Sequence, residues 1–424
     1  MALTKYLNNN ITKMIQANEP LTIGLVTTEY VTEDNFDGGL SNYTHRVALS
    51  LKQLGHKPIV LIITNHPSEI FNHQGIEVHR IRLRGWKMMR LINLLALNKF
   101  SAATFQLWLS LYILLYIKKL NKQCSLSIIH YPSCAGLGLF RPKDLPSIIR
   151  ISSYILLWNQ AYELKRTFNI KLSEKIEDIA YTRADALVAP SNLNAKAVEK
   201  AISKPVTVIE TPFILETEYL DDSFYQTHLK NKKYLLFFGT IGLMKGCGTI
   251  AEIIYDVLQH DPNLSFVFVG KDTGYLGYEG VSIMDTIREN AKEHSTRVIH
   301  LNRLTHQYLY PIIANAYAVV LPSRVDNMPN TCLEAMGHKK IVIGTDGASF
   351  EQLIVDGVSG FLCQKDNPQD LLLKIKQVLS LNSEDKLNIE QKAYERIKEL
   401  QPEKVVNQLV DFYRRVIASF NNKT

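Results

Sequence analysis

The stretch TIGLVTTEYVTEDNFDGGLSNYTHRVALSLKQLGHKPIVLII, residues 22–63, decides the architecture. TIGLVTT (22–28) is short and apolar, bounded by polar residues, and reads as a strand. A polar loop then leads to Gly38 and Gly39. Beyond them Leu40, Tyr43, Val47, Leu51 and Leu54 recur at helical spacing, so one side of a helix faces a core. Gly55 stops that helix, and KPIVLII is the next strand. Strand, glycine turn, helix and strand make a βαβ unit, which implies parallel strands joined by a right-handed crossover.

Outward from this unit the alternation continues. SLSIIHY (125–131), SIIRIS (147–152), DALVAP (185–190) and PVTVIE (205–210) are further strand candidates. Residues 211–233 are polar and poor in pattern, and read as the link between domains. The alternation then restarts with KYLLFFG, LSFVFVG, RVIHL, YAVVLPS, KIVIGT and GFLC. A chain of 424 residues is too long for one ordinary core. Two doubly wound, Rossmann-like α/β domains facing across a cleft are expected, over residues 1–213 and 214–401. With 46% hydrophobic and 21% charged residues the chain is globular, not disordered. Its five cysteines are odd in number and scattered, with no C-x-x-C pair, which speaks against a zinc or redox site and for a reducing compartment. The opening MALTKYLNNNITKM lacks the apolar core of a signal peptide, so a cytoplasmic protein is expected.

Ligands of open parallel sheets bind outside the carboxyl ends of the strands, so residues just after strands carry the functional reading. Gly38 and Gly39 open a helix where backbone N–H groups can approach a phosphate or a sugar with no Cβ in the way; an ordinary tight turn explains them as well. TIGLMKGCGT (240–249) puts Gly242, Gly246, Gly248 and Lys245 before a helix, the components of a phosphate cradle without the P-loop order. PSRVDNMPNTCLEAMG (322–337) follows YAVVL. Asn330 is the expected cap of a helix starting near Thr331, with Asp326 in the loop and Glu334 in the first turns. A carboxylate accepts hydrogen bonds from two hydroxyls at once and so suits a vicinal diol. The competing reading is a capping acid plus a solvated helix glutamate. His130, at the end of a strand, is either a satisfied crevice histidine or an acceptor contact. No metal cluster is visible, so no metal and no cofactor are expected.

The net charge of +7 is uneven. Arg80, Arg82, Arg84, Lys87, Arg90 and Lys99 crowd a segment, residues 80–99, that contains no acid. This is a solvated face or a patch for anionic headgroups or an anionic substrate. No nucleic-acid recognition motif accompanies it. AATFQLWLSLYILLYIKKL (102–120) contains Gln106 and Ser110 and is too short in its apolar core to span a bilayer. A buried helix and a helix lying on the membrane surface both remain open.

Together these segments resemble the retaining GT-B glycosyltransferases of family four, the glycosyl transferases group 1. The resemblance lies in GGLSNYTHRVALSLKQLGHKPIVLI, FFGTIGLMKG, the E-x7-E-like PSRVDNMPNTCLEAMG and TDGASFEQLIVDGVSGFL, in the family's order and spacing. It implies transfer of a sugar from a nucleotide diphosphate to a glycan or lipid-linked hydroxyl acceptor, in cell-surface polysaccharide or glycoconjugate synthesis. The basic patch and the apolar stretch, rather than the resemblance, favour a lipid-linked or anionic glycan acceptor at an anionic membrane surface, and nucleic acid is not an expected partner. Lys245 would neutralise the donor diphosphate. Asp326, with Asn327, Met328, Pro329, Asn330 and Thr331, would hold the donor sugar, and Glu334 the ribose. Gly38, Gly39 and Gly242 would approach the donor, and the segment 402–420 would pack back on the first domain. Three positions depart from the family pattern. Asp326 replaces the usual Glu, and Thr240 replaces an Arg, leaving Arg150 or Arg303 to assist. Ser152 or Ser153 stands where relatives carry a His, so Arg150, Ser152 and His130 are the acceptor-side candidates. The other readings are a sugar-nucleotide epimerase on the same fold and a catalytically degenerate sugar-nucleotide-binding partner protein. A nicotinamide dehydrogenase is weaker, because G-x-G-x-x-G is absent.

Overall fold

The computed structural model describes residues 19–34, 38–83, 100–162, 165–215, 219–274 and 281–423. Two sheets organise the chain. The first contains β1 Thr22–Thr27, β2 Lys57–Thr64, β3 Glu69–His73, β4 Ile76–Arg82, β5 Ile128–Pro132, β6 Ser147–Arg150, β7 Ala186–Ala189 and β8 Thr207–Val208. The second contains β9 Lys233–Phe238, β10 Leu264–Val269, β11 Val298–Leu301, β12 Ala318–Leu321, β13 Val342–Thr345 and β14 Phe361–Cys363. Their orders are β3-β4-β2-β1-β5-β6-β7-β8 and β11-β10-β9-β12-β13-β14. Among the described residues every pairing is parallel except the β3–β4 hairpin.

The central parallel strands of the first sheet are buried on both faces, as parallel strands covered by helices are. Successive side chains alternate faces. Ile23, Leu25, Val60 and Ile62 point to one side, where they share a core with Tyr43, Val47 and Leu51 of the helix Gly39–Gln53. The helix Pro402–Asn421 adds Leu409, Phe412 and Tyr413 to that core. Ile59, Leu61, Ile129 and Ile149 point to the other side and pack on the helices Ser101–Cys124 and Phe168–Arg183.

The helix Pro402–Asn421 therefore lies against the first sheet although it follows the second in the chain. Tyr413 makes a 2.6 Å hydrogen bond with His130 Nδ1, and Arg414 donates to the Glu19 carbonyl. Glu210, at the crossing between sheets, accepts from Arg396 at 2.5 Å and from Gln352 at 2.8 Å.

The structure corrects the expected alternation and the acid-free basic patch. The hairpin β3–β4 is an addition to the expected alternation, and it supplies acids to the basic patch. Arg80 pairs with Glu33 at 2.9 Å and with Glu69 at 2.7 Å, brought in from the loop after β1 and from the neighbouring strand. Arg84, Lys87, Arg90 and Lys99 lie outside the described residues. The segment 211–233 includes a helix, Ser223–His228, packed beside the helix His306–Asn315. No helix among the described residues is long and apolar enough to cross a membrane.

Candidate active site

In the second sheet the strand order reverses between β9 and β12, and a crevice opens at the carboxyl ends of such a pair. The loops after these two strands are the predicted glycine–lysine loop and the predicted acid-bearing loop. They interlock. Gly246 has φ +74°, and a Cβ there would stand 1.8 Å from the Pro322 carbonyl oxygen. Only glycine tolerates both the conformation and the approach. Arg324 N–H donates to the Met244 carbonyl at 2.9 Å. Lys245 Nζ donates to Asp326 Oδ2 at 2.5 Å, a charge-assisted bond. Lys245 keeps 30% of its side chain exposed, enough to meet a ligand in the crevice. Gly242 is buried beside Thr273, whereas Thr240 is exposed.

Asp326 is nearly buried and its other oxygen accepts from Asn327 N–H. Asn327 reaches across to the first domain: its Nδ2 donates to the Ser152 carbonyl, and its Oδ1 accepts from Asn194 at 2.6 Å. Met328 Sδ accepts from Thr211 N–H. The following helix is Asn330–Gly337, so Asn330 is its first helical residue rather than its cap. Pro329 occupies the cap position without any side-chain cap bond, and proline fixes φ while lacking an N–H. Thr331 packs near Gly239. Glu334 is buried, with its carboxylate 3.5 Å from His306 Nε2. His306 stacks on Tyr310, which in turn meets His338 edge-on. Burial pulls the His338 imidazole down to about 4, so it stays neutral.

On the opposite side, the first sheet reverses between β1 and β5. Gly38 caps the helix Gly39–Gln53, and the place a Cβ of Gly39 would occupy lies 3.5 Å from Asn330 Nδ2. Glu29, just after β1, lays its carboxylate where a Cβ of Gly38 would go, 2.3 Å away. Burial raises its pKa, and no described group donates to its carboxylate or pairs with it. Of the acceptor-side candidates, His130 is buried against Tyr413 and is held down to about 3 by burial and by Arg150. Arg150 donates to Ser152 Oγ at 2.6 Å and to Thr211 Oγ1 at 2.8 Å, and lies 3.6 Å over the Tyr43 ring. Arg150, Ser152 and His130 thus line one small cavity together with Tyr43 and Val47. Arg303 is exposed in the loop after β11. Among the described residues no three His, Cys, Asp or Glu side chains converge as metal ligands.

Residues 221–396 match the family described as glycosyl transferases group 1, and residues 37–216 match glycosyltransferase family 4. The chain belongs to the family-four GT-B glycosyltransferases. Two curated relatives are uncharacterized glycosyltransferases. The one from Methanocaldococcus jannaschii is 22% identical over 58% of this chain and 62% of its own length. The one from Bacillus subtilis is 21% identical over 41% of this chain and 45% of its own length. The chain therefore spans less than two thirds of the relatives it matches. Among solved structures, sucrose-phosphate synthase from Thermosynechococcus elongatus superposes with a TM-score of 0.71 at 15% identity, covering 94% of this chain and 100% of that one. HepE of Anabaena, solved with UDP and glucose, gives 0.64 at 15% identity over 92% and 99%. At these identities the likeness is one of fold, and the GT-B arrangement of two facing sheets is common to them.

Within this GT-B frame the sequence reading brought together Lys245, Asp326 and the loop through Asn330, and placed Glu334 on the adjoining helix. It missed Glu29 and His306. Glu29 lies in a loop of ordinary polar composition, and its proximity to Gly38 depends on how that loop folds back. His306 approaches Glu334 from a helix 28 residues earlier, a pairing no spacing rule announces.

Proposed function

We propose that this chain transfers a sugar from a nucleotide diphosphate to an acceptor hydroxyl, with retention of configuration and without a metal. The acceptor is a glycan or a lipid-linked glycan on the cytoplasmic side of a membrane, in bacterial cell-surface polysaccharide or glycoconjugate synthesis. The observation that carries this reading is the Lys245–Asp326 pair on the two interlocked loops flanking the β9/β12 crevice, with Glu334 on the helix that follows.

In this account the donor diphosphate takes over Lys245, and the helix starting at Cys247 presents N–H groups to the same anion. Asp326 turns from Lys245 to the sugar hydroxyls, and Glu334 accepts from the ribose diol. The acceptor oxygen then bonds to the anomeric carbon on the face from which the diphosphate departs. The bond to the phosphate oxygen breaks, and the acceptor proton passes to that departing oxygen. The protein contributes position and charge stabilisation. Glu29 faces this crevice from the first domain and is the carboxylate available to an acceptor or donor-sugar hydroxyl. The test is donor turnover in the wild type and in Lys245→Ala and Glu334→Ala, with and without EDTA. Loss in both variants and indifference to EDTA support the reading. Near-normal turnover in both variants removes the site, and complete loss in EDTA removes metal independence. Bound donor with no turnover on any acceptor would favour a degenerate, non-catalytic partner instead.

A further inference from the structure

The helix Ser101–Cys124 packs its Ala103, Leu109, Ile113 and Ile117 face on the first sheet. Its outer face is also apolar: Leu107, Leu111 and Leu115, four residues apart, are 41%, 46% and 59% exposed. A helix that is apolar all round is normally covered on all sides. At the carboxyl end of the same face stand the exposed Lys118 and Lys122, and the helix contains no Asp or Glu.

The neighbouring helix Phe168–Arg183 continues the pattern. Phe168 is 59% exposed and meets Phe100 edge-on at 5.6 Å, joining the two apolar rows. Lys171 and Lys175 point outward. Of the three acids of this helix, two are buried and the third, Asp178, is half-buried beside Lys175. Glu174 is buried and accepts from Asn159 and Arg166; Glu177 is buried and accepts from Tyr181; Asp178 accepts from Tyr154. The outer layer thus shows chiefly leucine, phenylalanine and lysine, with Glu174 and Glu177 buried and Asp178 half-buried. Apolar side chains beside an excess of cations match the boundary between acyl chains and acidic headgroups.

We propose that the outer face of these two helices docks on an anionic lipid bilayer. The layer adjoins the crevice, because the helix Ile155–Ala161, tied to it through Asn159 and Glu174, packs Ala161 against Met244 and Val325. An acceptor held in the bilayer would reach the site from this side. That purpose rests on the proposed transfer reaction, whereas vesicle binding is read without turnover, so the two readings fail separately.

The experiment is co-sedimentation of the full chain with phosphatidylcholine vesicles, with and without phosphatidylglycerol, at low and high salt. Two exposed-site variants accompany it, Leu111→Gln with Leu115→Gln, and Lys118→Gln with Lys122→Gln, each checked for an unchanged Tm. The expected result is binding only to the anionic vesicles, weakened by salt. The lysine pair should lower it on the order of thirtyfold, and the leucine pair should lower it at both salt concentrations. No binding to anionic vesicles, or wild-type binding by both variants, overturns the proposal. A dimer broken by the leucine variant, with vesicle binding unchanged, would assign the face to a second copy and overturn it too.

Discussion

Lys245 sits between two anions in this account, Asp326 in the free protein and the diphosphate in the complex. Its side chain is partly exposed, and the fold around it rests on backbone contacts such as Gly246 against Pro322. Lys245→Ala should therefore lower turnover by on the order of a hundredfold, about 3 kcal/mol of barrier, while circular dichroism and Tm stay near wild type. Glu29→Gln should leave binding of the free nucleotide unchanged and lower turnover at saturating donor, with measured KM and kcat separating the two. Weaker binding of free nucleotide would place Glu29 on the diphosphate instead. A different carboxylate governs pH dependence of stability. Burial raises Glu177 from its ordinary 4.5 to about 8. Between those values the folded chain holds a proton that the unfolded chain has released, so stability falls as pH rises through the window and levels off above it. Thermal melts from about pH 5 to about pH 8 should show a decline that Glu177→Gln flattens.

At the scale of elements, the two crevice loops act as one unit. Gly246→Ala forces a Cβ into the Pro322 carbonyl at positive φ, so a loss of about 3 kcal/mol is expected. A melt of the purified variant reads this as a fall of several degrees, and an unchanged Tm would mean the loops are not interlocked. The βαβ alternation of the first half was legible because buried parallel strands leave continuous apolar runs and their crossover helix a 3.6-residue period. The hairpin β3–β4 was not. It is an antiparallel addition at the sheet edge, where Glu69, Ile70 and Asn72 of β3 are exposed, and the pattern loses its apolar runs. Residue type alone makes Asn330 a cap, but Pro329 ahead of it takes that place, and the helix starts one residue earlier than expected.

At the scale of the whole molecule, the two sheets are joined through side chains that no local pattern foreshadows. Asn327 meets Ser152 and Asn194, Arg396 meets Glu210, and Tyr413 meets His130. His130 and Arg150 were legible as polar residues at strand ends. Their hydrogen bonds were not, because their partners Tyr413 and Thr211 lie 283 and 61 residues away. The helix Pro402–Asn421 buries Val405, Leu409, Phe412 and Tyr413 against the first domain. A chain ending at residue 401 should consequently be insoluble or melt well below the full protein; an unaltered melt would show that the first domain needs no such cover.

The proposed transfer requires the β9/β12 crevice to bind a nucleotide sugar through Glu334 and Lys245. The most direct measurement is the Tm of the full chain against UDP, GDP, ADP and CDP sugars and the matching free nucleotides. A ligand that binds only the folded state stabilises it, by about 2.7 kcal/mol at a hundredfold excess over Kd. One nucleotide series should raise Tm, and Glu334→Ala should abolish the rise. No rise with any of them, or a rise unchanged in Glu334→Ala, would contradict that binding.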